Sequence, residues 1–215
     1  MSRRPLLAIP LALLLTLVLA GCLTGTRPSF DATDAFPPGT PTGDANVDAL
    51  LTKLDAVTKG PATANYDVLT KYGNHQAPAS AALSPGARNI VVDNTRYIQN
   101  DTGTATCTVD NTIPCSSGFD PTRISNVGIT VDFYAADAAK RLRRDAQGKV
   151  GPSVPHTRAI AGQKVPCVDL PLNGGTAVYC VLSNGMLAER DDGDVRILLT
   201  RFSPTAAADQ FVIPK

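Results

Sequence analysis

Apolar and polar residues alternate most clearly near the end of the chain, between positions 176 and 202. Asn184-Gly185 and Asp192-Gly193 interrupt this alternation, and both dipeptides favour two-residue turns between antiparallel strands. The pattern therefore predicts a meander of three strands, with Val181 opposite Ala188.

Two-residue turns also determine which side chains share a face of this meander. They place Ala188 opposite Ile197 on the apolar face. On the other face they place Glu189 beside Arg196, a favourable pair between neighbouring strands. The remaining members predicted for the apolar face are Tyr179, Met186, Val195 and Leu199.

Apolar residues at helical spacing predict three helices. The first runs from Asn46 to Lys59, and Asp44 or Asn46 can cap it. A short second helix is predicted from Thr63 to Tyr72, and a third from Ala135 to Gln147. The surface of the third helix that faces away from the sheet is predicted to carry Lys140, Arg141, Arg143 and Arg144. This basic surface is either a solvated face or a docking site for an acidic partner or anionic lipid headgroups.

Three further strands are predicted, at Ile90–Val92, at Tyr97–Ile98 and in the alternating run from Val127 to Phe133. Residues 75–86 are rich in Ala and Pro and predict a loop. Residues 100–126 are polar and predict a long loop, which is either a recognition surface or a segment that needs protection from proteolysis. Together the elements predict an α+β fold: an antiparallel sheet of about five or six strands, with helices packed mainly on one face.

The first 21 residues have a different character. Arg3 and Arg4 precede an apolar run from Leu6 to Leu19. At about 14 residues, the run is shorter than the roughly 20 that a membrane-spanning helix needs. Its length and basic flank are typical of a secretory signal peptide over residues 1–21. The segment Ser2–Leu7 also looks like a twin-arginine export motif, whereas the strongly apolar run favours the Sec route, so both routes stay open.

Leu19-Ala20-Gly21-Cys22 follows this run and resembles the lipobox of bacterial lipoproteins at all four positions. The resemblance implies a diacylglyceryl thioether on Cys22 and cleavage between Gly21 and Cys22. Because two acyl chains anchor a protein stably, it places the chain at the outer face of the cell membrane. The alternative is an ordinary secreted protein with a chance cysteine.

Residues 22–45 are rich in Gly, Pro, Thr and Asp, a composition that predicts a flexible tether. Residues 46–215 are then expected to form a single extracytoplasmic domain, long enough to bury a core. The net charge is +1, and removal of Arg3 and Arg4 with the leader lowers it to −1. A near-neutral chain without Trp offers no electrostatic or stacking basis for binding nucleic acid.

Four cysteines lie in the predicted domain: Cys107, Cys115, Cys167 and Cys180. An even number in an exported chain predicts two disulfides, for which three pairings are possible. Pairing of sequence neighbours, Cys107–Cys115 and Cys167–Cys180, is preferred. The rival interpretation is a four-cysteine zinc site, which the spacing does not favour because no C-x₂₋₄-C occurs. Neither a metal nor a cofactor is therefore predicted.

Catalytic motifs do not stand out. The two histidines, His75 and His156, lie in proline-containing stretches without metal-binding spacing, and no G-x-S-x-G elbow occurs. Residues 191–194 are acidic but lack the spacing of a calcium loop, so a hairpin turn is the better interpretation. A serine–histidine–aspartate site built on His156 remains an alternative.

Beyond the lipobox, the chain resembles exported lipoproteins of high-GC, actinobacterial-type bacteria in its Ala, Asp, Thr, Pro and Arg-rich composition and in the order of its elements, including the segment 134–139. The functional prediction is a non-enzymatic, membrane-anchored lipoprotein. It would bind an apolar ligand or an envelope protein partner. The alternatives are an accessory subunit of a cell-envelope membrane complex and an envelope hydrolase.

Overall fold

One antiparallel sheet of eleven strands dominates the computed structural model, which describes residues 36–110 and 112–214. The strands are β1 Ala62–Thr70, β2 His75–Ser84, β3 Ala87–Val92, β4 Thr95–Asn100, β5 Gly103–Thr108, β6 Ser116–Ser117, β7 Val154–Ile160, β8 Gln163–Leu172, β9 Gly175–Val181, β10 Leu187–Asp191 and β11 Val195–Ser203. Within the described residues, two α-helices accompany them, α1 Ala45–Asp55 and α2 Ala136–Gly148. Short 3₁₀ helices span Tyr72–Asn74, Pro121–Val127 and Ala208–Phe211.

The sheet consists of two meanders that meet in the middle. Its strand order is β6-β5-β4-β3-β2-β1-β11-β10-β9-β8-β7, so each meander runs outward to one edge. The junction is the pairing of β1 with β11, where Thr70 lies opposite Val195. The first and last strands of the chain are therefore central, and the two edges are β6 and β7.

The helices pack against each other and against β8 and β9. Between the helices and the sheet the core is filled by large side chains, among them Tyr66, Phe133 and Leu142. The rings of Tyr66 and Phe133 meet edge to face, with their centroids 5.2 Å apart. In the described ranges, neither helix has the length and apolar character that a membrane crossing requires.

The predicted fold class is wrong. The sheet has eleven strands instead of five or six, and the structure is mostly sheet rather than a small sheet with helices packed mainly on one face. Strands β1, β2, β5 and β6 come from segments predicted as a helix or as loops, whereas β7 and β8 lie in residues 154–172, for which no element was predicted. The physical reason differs from one segment to the next.

The predicted helix over residues 63–72 is strand β1. Its buried residues are Ala62, Ala64, Tyr66 and Val68, which recur at every second position and therefore share one face of a strand. Pairing with β2 on one side and β11 on the other satisfies the backbone of this strand. Tertiary pairing thus overrides a local pattern that also fits a helix.

The predicted loop over residues 75–86 contains strand β2. Its alanines and Pro78 give little sequence signal for a strand, because both residue types are depleted in strands. The carbonyl of Pro78 accepts a hydrogen bond from Asp93 N–H, which lies just beyond the end of β3. The ring nitrogen of Pro78 points to the same side, beyond the end of β3, where β3 needs no N–H donor from β2. Strand β5 likewise lies within the predicted long loop over residues 100–126.

The predicted strand over residues 127–133 is also wrong, because this segment forms no strand. Its apolar residues Val127, Ile129 and Phe133 are buried as expected, but the backbone forms a 3₁₀ end and turns. Gly128 has φ +73°, and a Cβ there would lie 3.2 Å from the side chain of Val195. The segment supplies side chains to the core without joining the sheet.

The C-terminal meander is confirmed, with a different register. A bulge at Ala188 places Val181 opposite Leu187, because Leu187 N–H donates to Tyr134 O and Leu187 O accepts from the Tyr66 hydroxyl. Three residues, Asp192 to Asp194, separate β10 from β11, and Ile197 lies opposite Arg190 instead of Ala188. This shift of two residues preserves the faces, and Glu189 still contacts Arg196 at 3.3 Å.

Helices α1 and α2 agree with prediction to within a few residues. The carboxylate of Asp44 caps α1 by accepting from Asn46 N–H and Val47 N–H. The predicted turn at Asn184-Gly185 packs directly on the end of this helix. A Cβ at Gly185 would lie 2.2 Å from Lys53 O, and its φ is +87°, so the site requires glycine.

Candidate functional site

A surface groove of about 440 Å³ opens where the end of α1 approaches the hairpin between β2 and β3. We call it the Arg88 groove. Its lining includes Val57, Lys59, Leu83, Ala87, Arg88 and Tyr134. Its volume lies in the range of small-molecule sites, which combine an apolar wall with a few polar groups.

Arg88 is held in place from several sides. It stands opposite Gln99 across β3 and β4, and its Nε donates to Gln99 Oε1 at 2.8 Å. Its Nη1 forms an ion pair with Asp132. The guanidinium carbon lies 5.1 Å from the centroid of the Phe119 ring, a distance at which cation–π attraction operates. A guanidinium held this firmly loses little further freedom when it contacts a ligand.

Two cationic side chains, Arg88 and Lys59, line the groove together with the carboxylate of Asp55. Burial alone would lower the pKa of Arg88, but the hydrogen bond with Tyr134 and the charge of Asp132 outweigh it, and the net pKa is raised. Burial raises the pKa of Tyr134, so this phenol stays protonated at neutral pH. Lys59 is exposed on the rim, and within residues 36–110 and 112–214 it forms no ion pair.

The apolar part of the groove comes from Val57, Leu83 and Ala87. A wider hollow of about 910 Å³ shares Gly86 and Ala87 with it and continues past Phe211 and Val212. The smaller hollow combines apolar side chains with the cationic groups of Arg88 and Lys59, and the larger one adds polar residues such as Asn100 and Asp101. This arrangement suits a ligand that has an apolar body and a polar or anionic group.

The described chain begins close to this groove. Gly39 N–H donates to Asp55 at 2.9 Å, and Asp55 lines the Arg88 groove. Arg143 of α2 donates to Thr40 O at 2.9 Å and pairs with Asp55. Residues 39–43, which the sequence analysis placed in the tether, therefore lie against both helices.

Arg143 also corrects the predicted basic helix face. The sequence analysis placed it on the surface, but its side chain is 3% exposed. Arg141 and Arg144 remain at or near the surface and pair with Asp137 and Asp145. The predicted basic face is consequently smaller and largely neutralised by its own helix.

A second charged cluster lies under α2 and is closed to solvent. Arg190 is fully buried on the core face of β10, and its Nε and Nη2 both lie 2.7 Å from Asp192 Oδ2. Its Nη1 lies 3.5 Å from Asp137 of α2. The Tyr179 hydroxyl donates to Asp145 of the same helix at 2.6 Å. These contacts join α2 to the sheet, and we assign the cluster a structural role.

Both predicted disulfides are present. Cys107 of β5 bonds Cys115 across the loop before β6, and Cys167 bonds Cys180 between β8 and β9. The preferred pairing of sequence neighbours is therefore confirmed. The predicted lipidation site, Cys22, lies outside the described residues.

The residues considered for catalysis are not assembled into a site. His156 Nδ1 lies 3.6 Å from Asp169 Oδ1, and His75 Nδ1 has no hydrogen-bond partner. In the part of the chain that the structure describes, no serine hydroxyl hydrogen bonds to either histidine, and no cluster of metal-ligating residues occurs. The acidic segment 191–194 forms the β10–β11 turn, where Asp192 accepts from Asp194 N–H and Val195 N–H.

Sequence reasoning did not find the Arg88 groove. Arg88, Gln99, Tyr134 and Asp132 come from three separate segments, and their approach depends on the pairing of β3 with β4 and on the fold of residues 128–135. The charge of Arg88 at the start of an apolar strand was the one local signal. Neither a protein-family model nor a curated protein sequence matches this chain.

Proposed function

We propose that this chain is a membrane-anchored extracytoplasmic lipoprotein whose domain binds a ligand in the Arg88 groove without chemical conversion. The groove carries the proposal, because it combines an apolar wall with a fixed guanidinium in a volume of about 440 Å³. The ligand class that fits is an amphiphile with an apolar body and an anionic or polar group.

The proposed location is supported by two independent features. Leu19-Ala20-Gly21-Cys22 has the residues of a lipobox, and the two disulfides favour an oxidising compartment. Gly39 and Thr40, the start of the described domain, lie beside the groove through Asp55 and Arg143.

Labelling with an alkyne fatty acid tests the anchor. Cells that make the wild-type chain should incorporate the label into it, and the Cys22→Ala variant should not, because the thioether sulfur is absent. The wild-type chain should also partition with membranes and require detergent for release. Equal labelling of the two chains would overturn the lipid assignment.

Thermal unfolding with and without a cell-envelope lipid extract tests the groove. A ligand at 100 times its Kd stabilises the folded state by about 2.7 kcal/mol, and each kcal/mol raises Tm by about 2–4 °C at this size. We expect such a rise for the wild-type chain and a smaller one for Arg88→Gln and for Lys59→Gln, each compared with its own lipid-free Tm.

The matched control is Arg201→Gln, because Arg201 is exposed on β11 away from the groove. It should keep the full lipid-dependent rise. Equal rises in all four chains would place the ligand elsewhere, and no rise in the wild-type chain would contradict ligand binding.

A further inference from the structure

The two edges of the sheet are protected to very different degrees. At one end β6 has only two residues, and the Cys107–Cys115 disulfide closes the loop beside it. At the other end β7 has seven residues, of which Ile160 is the one that is buried. Strand β7 is therefore open along its outer edge and exposed on both faces. Such an edge is a template for another strand unless it is blocked.

The geometry of β8 shows which groups of β7 point outward. Cys167 and Cys180 lie directly opposite each other with a Cα–Cα distance of 4.0 Å, which matches a pair without mutual backbone hydrogen bonds. The peptide groups of Cys167 therefore point toward β7. Pro171 is four residues after Cys167 on β8, so its peptide groups point the same way. Its carbonyl accepts from Val150 N–H just before β7, which agrees with this orientation.

His156, opposite Cys167, is consequently bonded to β8, and the alternate residues Pro155, Thr157 and Ala159 face outward. Their three carbonyls and the N–H groups of Thr157 and Ala159 have no partner within residues 36–110 and 112–214. Pro155 supplies no N–H, as is usual for proline on a sheet edge. Two N–H donors and three carbonyl acceptors along the outer edge of β7 are therefore available to an added strand.

The charges on the two faces of the sheet beside β7 indicate which side chains the added strand would carry. On the outer face Arg158 and Arg196 contact the buried carboxylate of Glu189, and Arg196 also pairs with Asp191, which Lys71 contacts. Three cations and two carboxylates leave this group with a net positive charge. On the other face Lys164 lies opposite Ala159 and is exposed. Lys164 has no ion pair among the described residues.

We propose that the β7 edge binds an extended, acidic segment of another protein by strand addition. Acidic side chains on that segment would lie next to Arg158 and Lys164, while its backbone pairs with Thr157 and Ala159. A second copy of this chain fits less well. Antiparallel self-pairing about Thr157 would place each Arg158 beside the second copy's His156 and add no carboxylate. This proposal is independent of the anchor and of the Arg88 groove.

Amide hydrogen exchange of the exported full chain carrying Cys22→Ala tests the proposal. The probe is a blocked seven-residue peptide that alternates Thr and Glu, and its counterpart alternates Thr and Lys. We expect the Thr/Glu peptide at millimolar concentration to slow exchange at Thr157 and Ala159 by about tenfold or more, because their N–H groups become bonded. The Thr/Lys peptide should leave both amides fast.

Three variants separate backbone pairing from other effects. Thr157→Pro removes an outward N–H without touching the β8 ladder and should weaken Thr/Glu binding by about tenfold, the worth of one backbone hydrogen bond. Thr157→Val keeps the N–H and should bind normally. Lys164→Glu, which changes an exposed side chain, should weaken binding of the Thr/Glu peptide and strengthen binding of the Thr/Lys peptide.

Several results would overturn the proposal. They are equal protection by both peptides, fast exchange at Thr157 with the Thr/Glu peptide, or undiminished binding by Thr157→Pro. Slow exchange at Thr157 and Ala159 in the free chain would also overturn it, because the edge would then be occupied already. Sedimentation would assign such an occupant to a second copy or to the same chain.

Discussion

Arg190 is among the largest fully buried side chains of the described residues. It is a fully buried cation on the core face of β10, and Asp192 and Asp137 balance its charge. The alternation of the meander predicts an apolar residue at this position, between Ala188 and Asp192. A charge is tolerated there because the β10–β11 turn brings the Asp192 carboxylate back onto the guanidinium.

The variant Arg190→Ala should therefore be strongly destabilised. It leaves the buried carboxylate of Asp192 without its cation and leaves Asp137 with Arg141 alone. Loss of one partner of a buried pair costs about 3–5 kcal/mol. Urea unfolding would measure this loss. Arg201→Ala, at an exposed position of β11, is the control and should change the free energy of unfolding by no more than about 0.5 kcal/mol. A similar small effect of Arg190→Ala would show that the cluster is dispensable.

Asp192 makes this cluster sensitive to acid. Burial raises the pKa of Asp192, but the charge of Arg190 and two backbone hydrogen bonds outweigh it, so the net pKa is lowered from 3.8. A carboxyl with a depressed folded-state pKa contributes stability that is complete above its unfolded value and is lost as the pH falls through the folded value.

We therefore expect the wild-type chain to lose stability as the pH falls below about 4, the unfolded value of an aspartate. Asp192→Asn should be less stable at pH 7 but have a shallower acid limb. Its slope should be lower by at most about 1.4 kcal/mol per pH unit, the effect of one proton. Urea midpoints between pH 2.5 and 6 would show this. Parallel acid limbs in the two chains would contradict the assignment.

The elements of the fold differ in how well sequence patterns predict them. The C-terminal meander was predictable because alternation and turn dipeptides coincide, and α1 because its apolar spacing is regular. Strand β2 was not predictable, because Ala77, Ala79 and Ala81 give little strand signal and fit only against a close-packed core. The register of β10 was not predictable either, since the bulge at Ala188 depends on Tyr66 and Tyr134.

The Cys167–Cys180 disulfide ties two paired strands beneath the β7 edge. It encloses about 14 residues, for which the chain-entropy model gives about 3 kcal/mol. Replacing both cysteines with Ala should lower the free energy of unfolding by roughly that amount, because the unfolded chain gains freedom. Mass spectrometry of non-reduced peptides should first show both bonds. Free thiols at Cys167 and Cys180 would contradict the structure, and an unchanged urea midpoint would contradict this estimate.

At the scale of the whole molecule, two meanders are joined by their first and last strands. Pairing of β1 with β11 brings together residues more than 120 positions apart, such as Thr70 and Val195. The Arg88 groove belongs to the first meander and to the end of α1, whereas the β7 edge belongs to the second meander. The fold thus separates a candidate ligand site from a candidate protein-binding edge.

Native mass spectrometry of the chain released from its own membranes tests ligand binding in the Arg88 groove most directly. We expect wild-type protein to carry a non-covalent amphiphile in addition to any lipid on Cys22, because the groove combines apolar side chains with Arg88 and Lys59. Arg88→Gln combined with Lys59→Gln should lose that adduct, while Arg201→Gln keeps it. A wild-type chain without any adduct, or an equal adduct on all three chains, would contradict the assignment of the groove.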